Sequence, residues 1–161
     1  MPGCGKSTLG RRLAKIRGMS FVDTDTLIER AEKKSLQDIV NRRGVRYLRQ
    51  LESHVLSNMT VENTVIATGG SAVYSHAAMR HLGANGVVVY LQISLTTLVQ
   101  RVDNVSRRGL AKMKSHSLPR LYSDRVDLYH ANADIIMPND RPMSALSMGA
   151  LGLQIDDFFD V

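Results

Sequence analysis

Residues 3–8 read Gly-Cys-Gly-Lys-Ser-Thr, and this stretch decides the fold. In the phosphate-binding pattern G-x-x-x-x-G-K-[ST], Gly5, Lys6 and Ser7 fill the last three positions. The first glycine of that pattern would stand one residue before Met1. Glycines at positions 3 and 5 permit tight turns, so the backbone N–H groups from Gly3 to Ser7 can point at phosphate oxygens. The stretch predicts a P-loop at the start of a helix, and the alternative is a plain glycine turn before a basic helix.

The side chains of this loop predict that it binds phosphate groups together with Mg²⁺. Lys6 supplies a point charge for the outer phosphates, and the Ser7 hydroxyl is a candidate Mg²⁺ ligand with Thr8 as the alternative. Cys4 is expected to be a small packing residue of the loop. The helix that follows has apolar residues at helical spacing, namely Leu9, Leu13 and Ile16.

A buried strand normally feeds directly into a P-loop of this kind. No such strand precedes the loop here, so we expect the chain to be a fragment or to have a misassigned start. A few strand residues ending in glycine would then precede Met1 in the natural polypeptide.

Length and composition predict one globular domain spanning residues 1–161. The chain is 43% hydrophobic, which excludes a disordered protein, and it has no apolar run long enough to span a bilayer. One cysteine excludes an internal disulfide and a cysteine-based zinc cluster. The net charge of +6 suits anionic partners, and the 5% aromatic content favours anionic metabolites over nucleic acid. We expect a cytoplasmic monomer with neither nucleic acid nor a membrane as its partner.

Short apolar runs alternate with helical patterns along the chain. This alternation predicts an α/β fold with a parallel sheet covered on both faces. Ser75 is expected to cap a helix through Leu82, and Ser94 one through Arg101. Residues 118–131 also have helical periodicity. The predicted strands are residues 20–23, 65–68, 87–92 and 135–137.

Two further segments carry expectations about mobility and packing. Residues 102–117 are basic and small polar with few apolar anchors, which predicts a mobile lid or, alternatively, an ordinary connection. Residues 144–159 predict a terminal helix without chemistry. Its expected packing residues are Leu146, Leu153, Ile155 and Phe158.

Asp23 and Asp25 follow the first predicted strand, where open α/β sheets bind ligands. In an extended chain, their two-residue spacing places both on one side, one toward Mg²⁺ or its waters and the other toward a substrate hydroxyl. The alternative is helix capping. Asp25 could cap a helix starting at Thr26, and Thr26 with Glu29 matches a capping box.

Gly69 and Gly70 end the next strand, where they let the backbone approach a bound molecule, although a loose turn is the alternative. Arg49 and Arg125 fall on apolar helical faces, and a buried guanidinium needs a partner. Glu52 is a possible partner of Arg49, whereas Arg125 has no acid at i+3 or i+4. A carboxylate ligand would satisfy both arginines, since the guanidinium fork suits bidentate binding.

Taken together in order and spacing, these pieces resemble the shikimate kinase family over residues 1 to about 137. The resemblance implies a nucleoside-monophosphate-kinase-like fold with a five-stranded parallel sheet of order 2-3-1-4-5, in which strand 1 is the missing one. The segments that carry it are the P-loop and residues 21–25, 48–52, 68–70 and 125–129.

The same resemblance implies a role for each candidate residue. Lys6 and Ser7 would hold ATP phosphates and Mg²⁺, Asp23 would reach the metal through water, and Asp25 would contact ring hydroxyls of shikimate. The phosphate cradle would comprise Gly3, Cys4, Gly5, Lys6, Ser7 and Thr8. The shikimate pocket would comprise Asp25, Arg49, Gly69, Gly70 and Arg125. Of these, Arg49 and Arg125 would bind the carboxylate of shikimate.

The family's lid arginine would be Arg108, with Arg107 as the close competitor. The chain departs from the family pattern at four places, since Ser71 replaces a third glycine, Val45 replaces a glutamate, Leu48 replaces a phenylalanine, and the lid lacks a proline. Ser71 therefore adds a hydroxymethyl group where close backbone approach is expected.

The implied activity is ATP-dependent phosphorylation of the 3-hydroxyl of shikimate, a step of aromatic amino acid biosynthesis. Positioning and charge neutralisation by Lys6, Mg²⁺ and Arg108 would supply most of the catalysis. One alternative is a P-loop kinase of another small hydroxylated acid or of a nucleotide. Another is a nucleotide-binding homologue without catalysis.

Overall fold

The computed structural model describes residues 1–107, 118–141 and 144–159 of the 161-residue chain. These residues divide into two units. One unit is Lys6–Gly86, and the other combines Met1–Gly5 with Val87–Val161.

The Lys6–Gly86 unit is built on one pair of parallel strands. β1 and β2 pair in parallel from Ser20 opposite Thr64 to Asp23 opposite Ala67, and α1 packs on both strands. The elements are α1 (Lys6–Arg17), β1 (Ser20–Asp23), α2 (Thr24–Glu32), α3 (Leu36–Ser57), β2 (Thr64–Ala67), a one-turn 3₁₀ helix (Ala72–Tyr74) and α4 (His76–Ala84).

The other unit has a second parallel pair, which runs from Val89 opposite Ile135 to Gln92 opposite Pro138. Its elements are β3 (Val89–Gln92), α5 (Leu95–Arg107), α6 (Leu118–Asn132), β4 (Ile135–Pro138) and α7 (Ala145–Phe159). A buried apolar cluster holds the N-terminal residues against α5 and α6. It comprises Met1, Cys4, Ile93, Leu98, Val102 and Leu118.

The predicted α/β class with parallel strands is confirmed. β1–β2 and β3–β4 correspond to the pairs 2–3 and 4–5 of the expected strand order. Both predicted serine caps are also present, because Ser75 Oγ accepts from the Ala78 N–H at 3.2 Å and Ser94 Oγ accepts from the Thr97 N–H at 3.3 Å.

Helix α5 is longer than the sequence indicated. It continues to Arg107 instead of ending near Arg101, so the first part of the predicted 102–117 lid is helical. Arg108 and the rest of that lid lie outside the described residues.

The predicted packing of α7 is wrong for two residues. Leu153 and Phe158 are 66% and 50% exposed, whereas Met148 and Leu151 are buried. Met148 and Leu151 are three residues apart and share one helical face, so that face is the packed one. In α1, Leu13 is buried as predicted, but Ile16 in the last turn is 55% exposed.

A backbone irregularity at Gly44 changes how α3 presents its side chains. Gly44 has φ 81° and ψ 166°, which interrupts the helix, and Val45 directly after it is 52% exposed. Glu52 and Leu56 are buried on the face that periodicity predicted. Within the described ranges, no helix has the length and apolar character that crossing a membrane requires.

Candidate active site

The glycines of the N-terminal loop adopt the backbone that the sequence predicted. Gly3 and Gly5 have φ values of 68° and 91°, in the left-handed region that side chains disfavour. Helix α1 begins directly afterwards at Lys6. Ser7 and Thr8 therefore lie in the first turn of a helix, where free N–H groups and the helix dipole favour an anion.

A network that sequence reasoning missed fixes the loop backbone. Asn139 is buried, and its side-chain amide donates a hydrogen bond to the Cys4 carbonyl. Arg101 donates to the same carbonyl at 3.5 Å and to the Asn139 carbonyl at 2.6 Å. No local motif signals this contact, because Asn139 is 135 residues from Cys4 in the sequence.

Asp23 links the end of β1 to two helix starts. Its Oδ2 accepts a 2.6 Å hydrogen bond from Ser7 Oγ, and its Oδ1 accepts one of 3.1 Å from the backbone N–H of Asp25. Asp23 is thus the N-cap of α2, which starts at Thr24. The alternative in which Asp25 caps a helix from Thr26 is wrong.

The expected capping box is also absent from α2. The Glu29 carboxylate accepts from the Leu36 N–H at 3.0 Å, in the turn that leads to α3. Because Asp23 caps α2, the carboxylate of Asp25 does not serve as a helix cap.

Asp25 is the most perturbed acid of the site. Its Oδ1 is buried and has no hydrogen-bond partner within the described part of the chain. Burial, together with the negative charges of Asp23 and Glu52, raises the pKa of Asp25 to about 6, against the opposing charge of Lys6. A buried carboxylate whose pKa lies this far above its usual range is typical of a group that exchanges protons.

Gly69 is required by close packing against these acids. A Cβ there would lie 2.9 Å from the carboxyl carbon of Glu52 and 3.0 Å from Asp25 Oδ1. The backbone is fixed, because the Gly69 N–H donates to Thr24 Oγ1 at 3.1 Å, and that hydroxyl donates to the Ala67 carbonyl at 3.4 Å. The segment is not a loose turn, and Gly70 follows it directly.

Arg49 is exposed rather than buried, so that expectation is wrong. Its guanidinium lies 4.3 Å from the ring centroid of Tyr74. The carboxylate of Glu52 is buried and accepts a hydrogen bond from the Ser71 hydroxyl instead of pairing with Arg49. The sequence did not predict the hydrogen bond between Ser71 and Glu52, although Glu52 was placed on the helical face of α3 that is buried.

Arg125 lies on α6 in the other unit and is buried, at 9% exposed, as its position among apolar residues predicted. Lys6, Ser7, Asp23, Asp25 and Gly69 are brought together within the Lys6–Gly86 unit.

A glycine loop that opens α1 with a lysine and a serine, beside acids at the end of a parallel strand, defines the class of P-loop kinases. A family model described as "Shikimate kinase" matches residues 2–150. A shikimate kinase of Histophilus somni is 34% identical, and the match covers 98% of this chain and 90% of that protein. One of Clostridium botulinum is 34% identical over 87% of this chain and 84% of its own.

The solved structures agree. Shikimate kinase from Acinetobacter baumannii in complex with shikimate matches with a TM-score of 0.82 and 30% identity, covering 96% of this chain and 89% of that one. The chain belongs to the shikimate kinase family. Members of this family are ATP-dependent kinases that phosphorylate a hydroxyl of shikimate.

Proposed function

We propose that this chain transfers the γ-phosphoryl group of ATP to the 3-hydroxyl of shikimate, with Asp25 as the group that receives the hydroxyl. The observation that carries this proposal is the buried, unpartnered Oδ1 of Asp25 among the described residues, beside the charge of Lys6. A substrate hydroxyl would satisfy that oxygen by donating a hydrogen bond.

Asp25 is suited to act as the general base. A pKa of about 6 keeps the carboxyl ionised near neutral pH and makes it more basic than an ordinary aspartate. It would orient the attacking hydroxyl and accept its proton as the O–P bond forms. Family membership supports this role, since the reaction needs one positioned acceptor hydroxyl.

The P-loop would bind the phosphate groups of ATP, the phosphoryl donor. Lys6 would neutralise charge on the outer phosphates, and the backbone N–H groups of Gly3, Cys4 and Gly5 would form the cradle. Ser7 and Thr8 would continue it at the start of α1. Fixed donors of this kind stabilise the developing charge without reorganising during the reaction.

Ser7 and Asp23 are the residues that we propose for Mg²⁺. Their side-chain oxygens lie 2.6 Å apart, and both are the hard oxygen donors that Mg²⁺ prefers. Over the described ranges, no group of three or more His, Cys, Asp or Glu is arranged to hold a metal. A site with two protein oxygens fits Mg²⁺, which takes its other ligands from phosphates and water and would neutralise phosphate charge. Ser7 would be a direct ligand and Asp23 would act through water.

The substrate carboxylate is assigned to Arg49 and Arg125. Arg49 is exposed on α3, the helix that also carries Glu52, so its guanidinium is accessible to an anion. Gly69 and Gly70 would line the same pocket with backbone only. Arg108, which lies outside the described residues, would bring positive charge to the transferring group.

The polypeptide as a whole is proposed to be one kinase domain that acts as a cytoplasmic monomer. Its charge of +6 suits the anionic nucleotide and acid substrates, so neither nucleic acid nor a membrane is needed as a partner.

Substitution of the loop lysine tests these roles. Lys6→Ala is expected to lower kcat by at least ~10³-fold, because the transferring phosphate loses its fixed cation. Arg125→Ala should instead raise the KM for shikimate about tenfold or more with a smaller change in kcat. Steady-state ADP release measures both. Lys15→Ala, at an exposed position near the end of α1, is the matched control and should behave as wild type. Undiminished turnover by Lys6→Ala would refute the proposed donor site.

The contact between Asn139 and the loop gives a second prediction. Asn139→Ala leaves the Cys4 carbonyl without its amide donor, so the KM for ATP should rise by about three- to tenfold, with a lower melting temperature. Asn132→Ala is the control, since its amide donates to the Leu128 carbonyl at 2.8 Å within α6. A lower melting temperature with an unchanged KM for ATP would reduce Asn139 to a purely structural role.

A further inference from the structure

Arg125 interrupts an apolar stripe on one face of α6. The members of the stripe are three or four residues apart, and all of them except Arg125 belong to the buried apolar cluster of this unit or pack against it. The stripe comprises Leu118, Leu121, Tyr122, Arg125 and Tyr129. Arg125 itself is only 9% exposed, so its position depends on how α6 packs on its neighbours.

The last turns of α6 pack on an aromatic residue of β3. The ring of Tyr90 stacks on the ring of Tyr129, with the centroids 5.1 Å apart and the planes at 22°. The ring of His130 meets Tyr90 edge-on, at 5.2 Å and 83°. Both distances lie in the range at which aromatic rings attract each other. Two successive residues of the helix therefore contact one strand residue from two directions, which opposes rotation of α6 about its axis.

Tyr90 acts in this contact through its ring. The side chain is 5% exposed, and its hydroxyl oxygen is buried without a hydrogen-bond partner among the residues that the structure describes. A buried hydroxyl that makes no hydrogen bond lowers stability. The contacts of the flat aromatic face are therefore what this residue contributes to the packing of α6.

We propose that Tyr90 is a positioning residue for the acceptor substrate, because its ring fixes the rotation of α6 and so holds the guanidinium of Arg125 in place for the substrate carboxylate. This inference rests on the proposed function, in which Arg125 binds that carboxylate. Tyr90 touches no reacting atom in it. Arg125 and Tyr129 are one helical turn apart on the same face, so a change in the packing of Tyr129 is passed directly to Arg125.

A small rotation of α6 is enough to disturb this binding. The tip of a helical side chain lies about 6 Å from the axis, so a rotation of about 10° displaces it by about 1 Å. A bidentate pair between a guanidinium and a carboxylate has a fixed geometry and tolerates such a displacement poorly. Because Arg125 is buried, its side chain has little room to compensate. Loss of the ring should therefore weaken acceptor binding more than it slows phosphoryl transfer.

Replacement of the ring is the first test. Tyr90→Leu should raise the KM for shikimate about three- to tenfold, with a smaller change in kcat and an unchanged KM for ATP, all measured by steady-state ADP release. An unchanged KM for shikimate would overturn the proposal. If Tyr90→Leu does not fold, Tyr129→Leu removes the same stacked pair from the side of the helix and should have the same effect.

A conservative variant separates the ring from the hydroxyl. Tyr90→Phe keeps the stacked face and should retain the wild-type KM for shikimate. Its melting temperature should equal or exceed that of the wild type, because the hydroxyl without a partner is gone. A Phe variant whose KM rises as much as that of the Leu variant would overturn the role of the ring.

A second core substitution in the same unit controls for loss of stability. Met148 on α7 is 1% exposed, so Met148→Ala leaves a cavity and should lower the melting temperature. Its KM for shikimate should nevertheless stay at the wild-type value. An equal rise in that KM would make the effect of Tyr90→Leu a general result of a loosened core and would contradict a specific role of Tyr90.

Arg125→Ala distinguishes the two levels of the account. Once this arginine is absent, Tyr90→Leu should raise the KM for shikimate no further, since the group that the ring positions is gone. A further rise of full size in the double variant would overturn the positioning role. An unchanged KM in Arg125→Ala alone would refute the proposed substrate role of Arg125. A raised KM in Arg125→Ala, with wild-type behaviour of Tyr90→Leu, would refute only the positioning role of Tyr90.

Discussion

Asp25→Asn is expected to lower kcat by about 10²- to 10⁴-fold and to leave the KM for ATP nearly unchanged. The amide keeps the size of the side chain but can no longer accept the proton of the attacking hydroxyl. Single-turnover phosphoryl transfer at saturating MgATP and shikimate measures the effect on the chemical step. Asp124→Asn, at an exposed position of α6, is the control and should turn over as wild type.

The same variant should be more stable than wild type at neutral pH. The pKa of Asp25 is raised from 3.8 to about 6 in the folded protein, so folding disfavours its ionised form. The contribution of the carboxyl to stability is therefore complete below about pH 3.8 and is lost as the pH rises through about 6. The shift corresponds to at most ~3 kcal/mol, and partial exposure of the side chain reduces this to about 1–2 kcal/mol.

Urea unfolding of wild type and Asp25→Asn at two pH values measures this gain. The variant should be stabilised at pH about 7.5, and the difference should disappear at pH about 4, where the aspartate is neutral. Lower stability of the variant at the higher pH would contradict the described environment of Asp25. Full activity of the variant would contradict its assignment as the base.

Gly69→Ala should lose most shikimate-dependent turnover, by about 10²-fold or more. Its methyl group would meet the carboxyl carbon of Glu52 at 2.9 Å and Asp25 Oδ1 at 3.0 Å, distances at which one of the groups must move. Relocation of Asp25 misplaces the acceptor hydroxyl, and a small misplacement of reacting groups has a large effect on rate. Overpacking should also cost about 1–3 kcal/mol of folding stability.

Kinetics and urea unfolding of Gly69→Ala can be compared with Gly83→Ala. A Cβ at Gly83, in α4, meets nothing within 4 Å, so that variant should keep wild-type activity. Wild-type turnover by a folded Gly69→Ala protein would show that this glycine does not shape the site.

Much of the candidate site could be predicted from short stretches of sequence. Lys6 and Ser7 belong to one short motif, and Asp23 is the last residue of β1, a strand that the sequence pattern predicted. Gly69 was predicted to let the backbone approach a bound molecule, and this stays a prediction; the close contacts described for it are with Glu52 and Asp25. The positions of Lys6, Ser7 and Asp23 could be predicted because backbone geometry and the strand ends of a parallel sheet determine them.

The wrong predictions and the missed contact have other physical causes. A helix start two residues earlier than expected moved the cap from Asp25 to Asp23 and left Asp25 for chemistry. Arg49 was expected inside because it shares a helical face with apolar residues from Val45 onward, but Val45 on that face is itself 52% exposed. Asn139 could not be found at all, because only tertiary structure brings it to the Cys4 carbonyl.

The central claim is phosphoryl transfer from ATP to one hydroxyl of shikimate. The most direct test follows ADP release from MgATP with and without shikimate, and identifies the phosphorylated position of the product by phosphorus–proton NMR. The account predicts shikimate-dependent release of one ADP per molecule of shikimate 3-phosphate. Folded protein that binds ATP but forms no phosphorylated shikimate, or that phosphorylates a different acceptor instead, would contradict it.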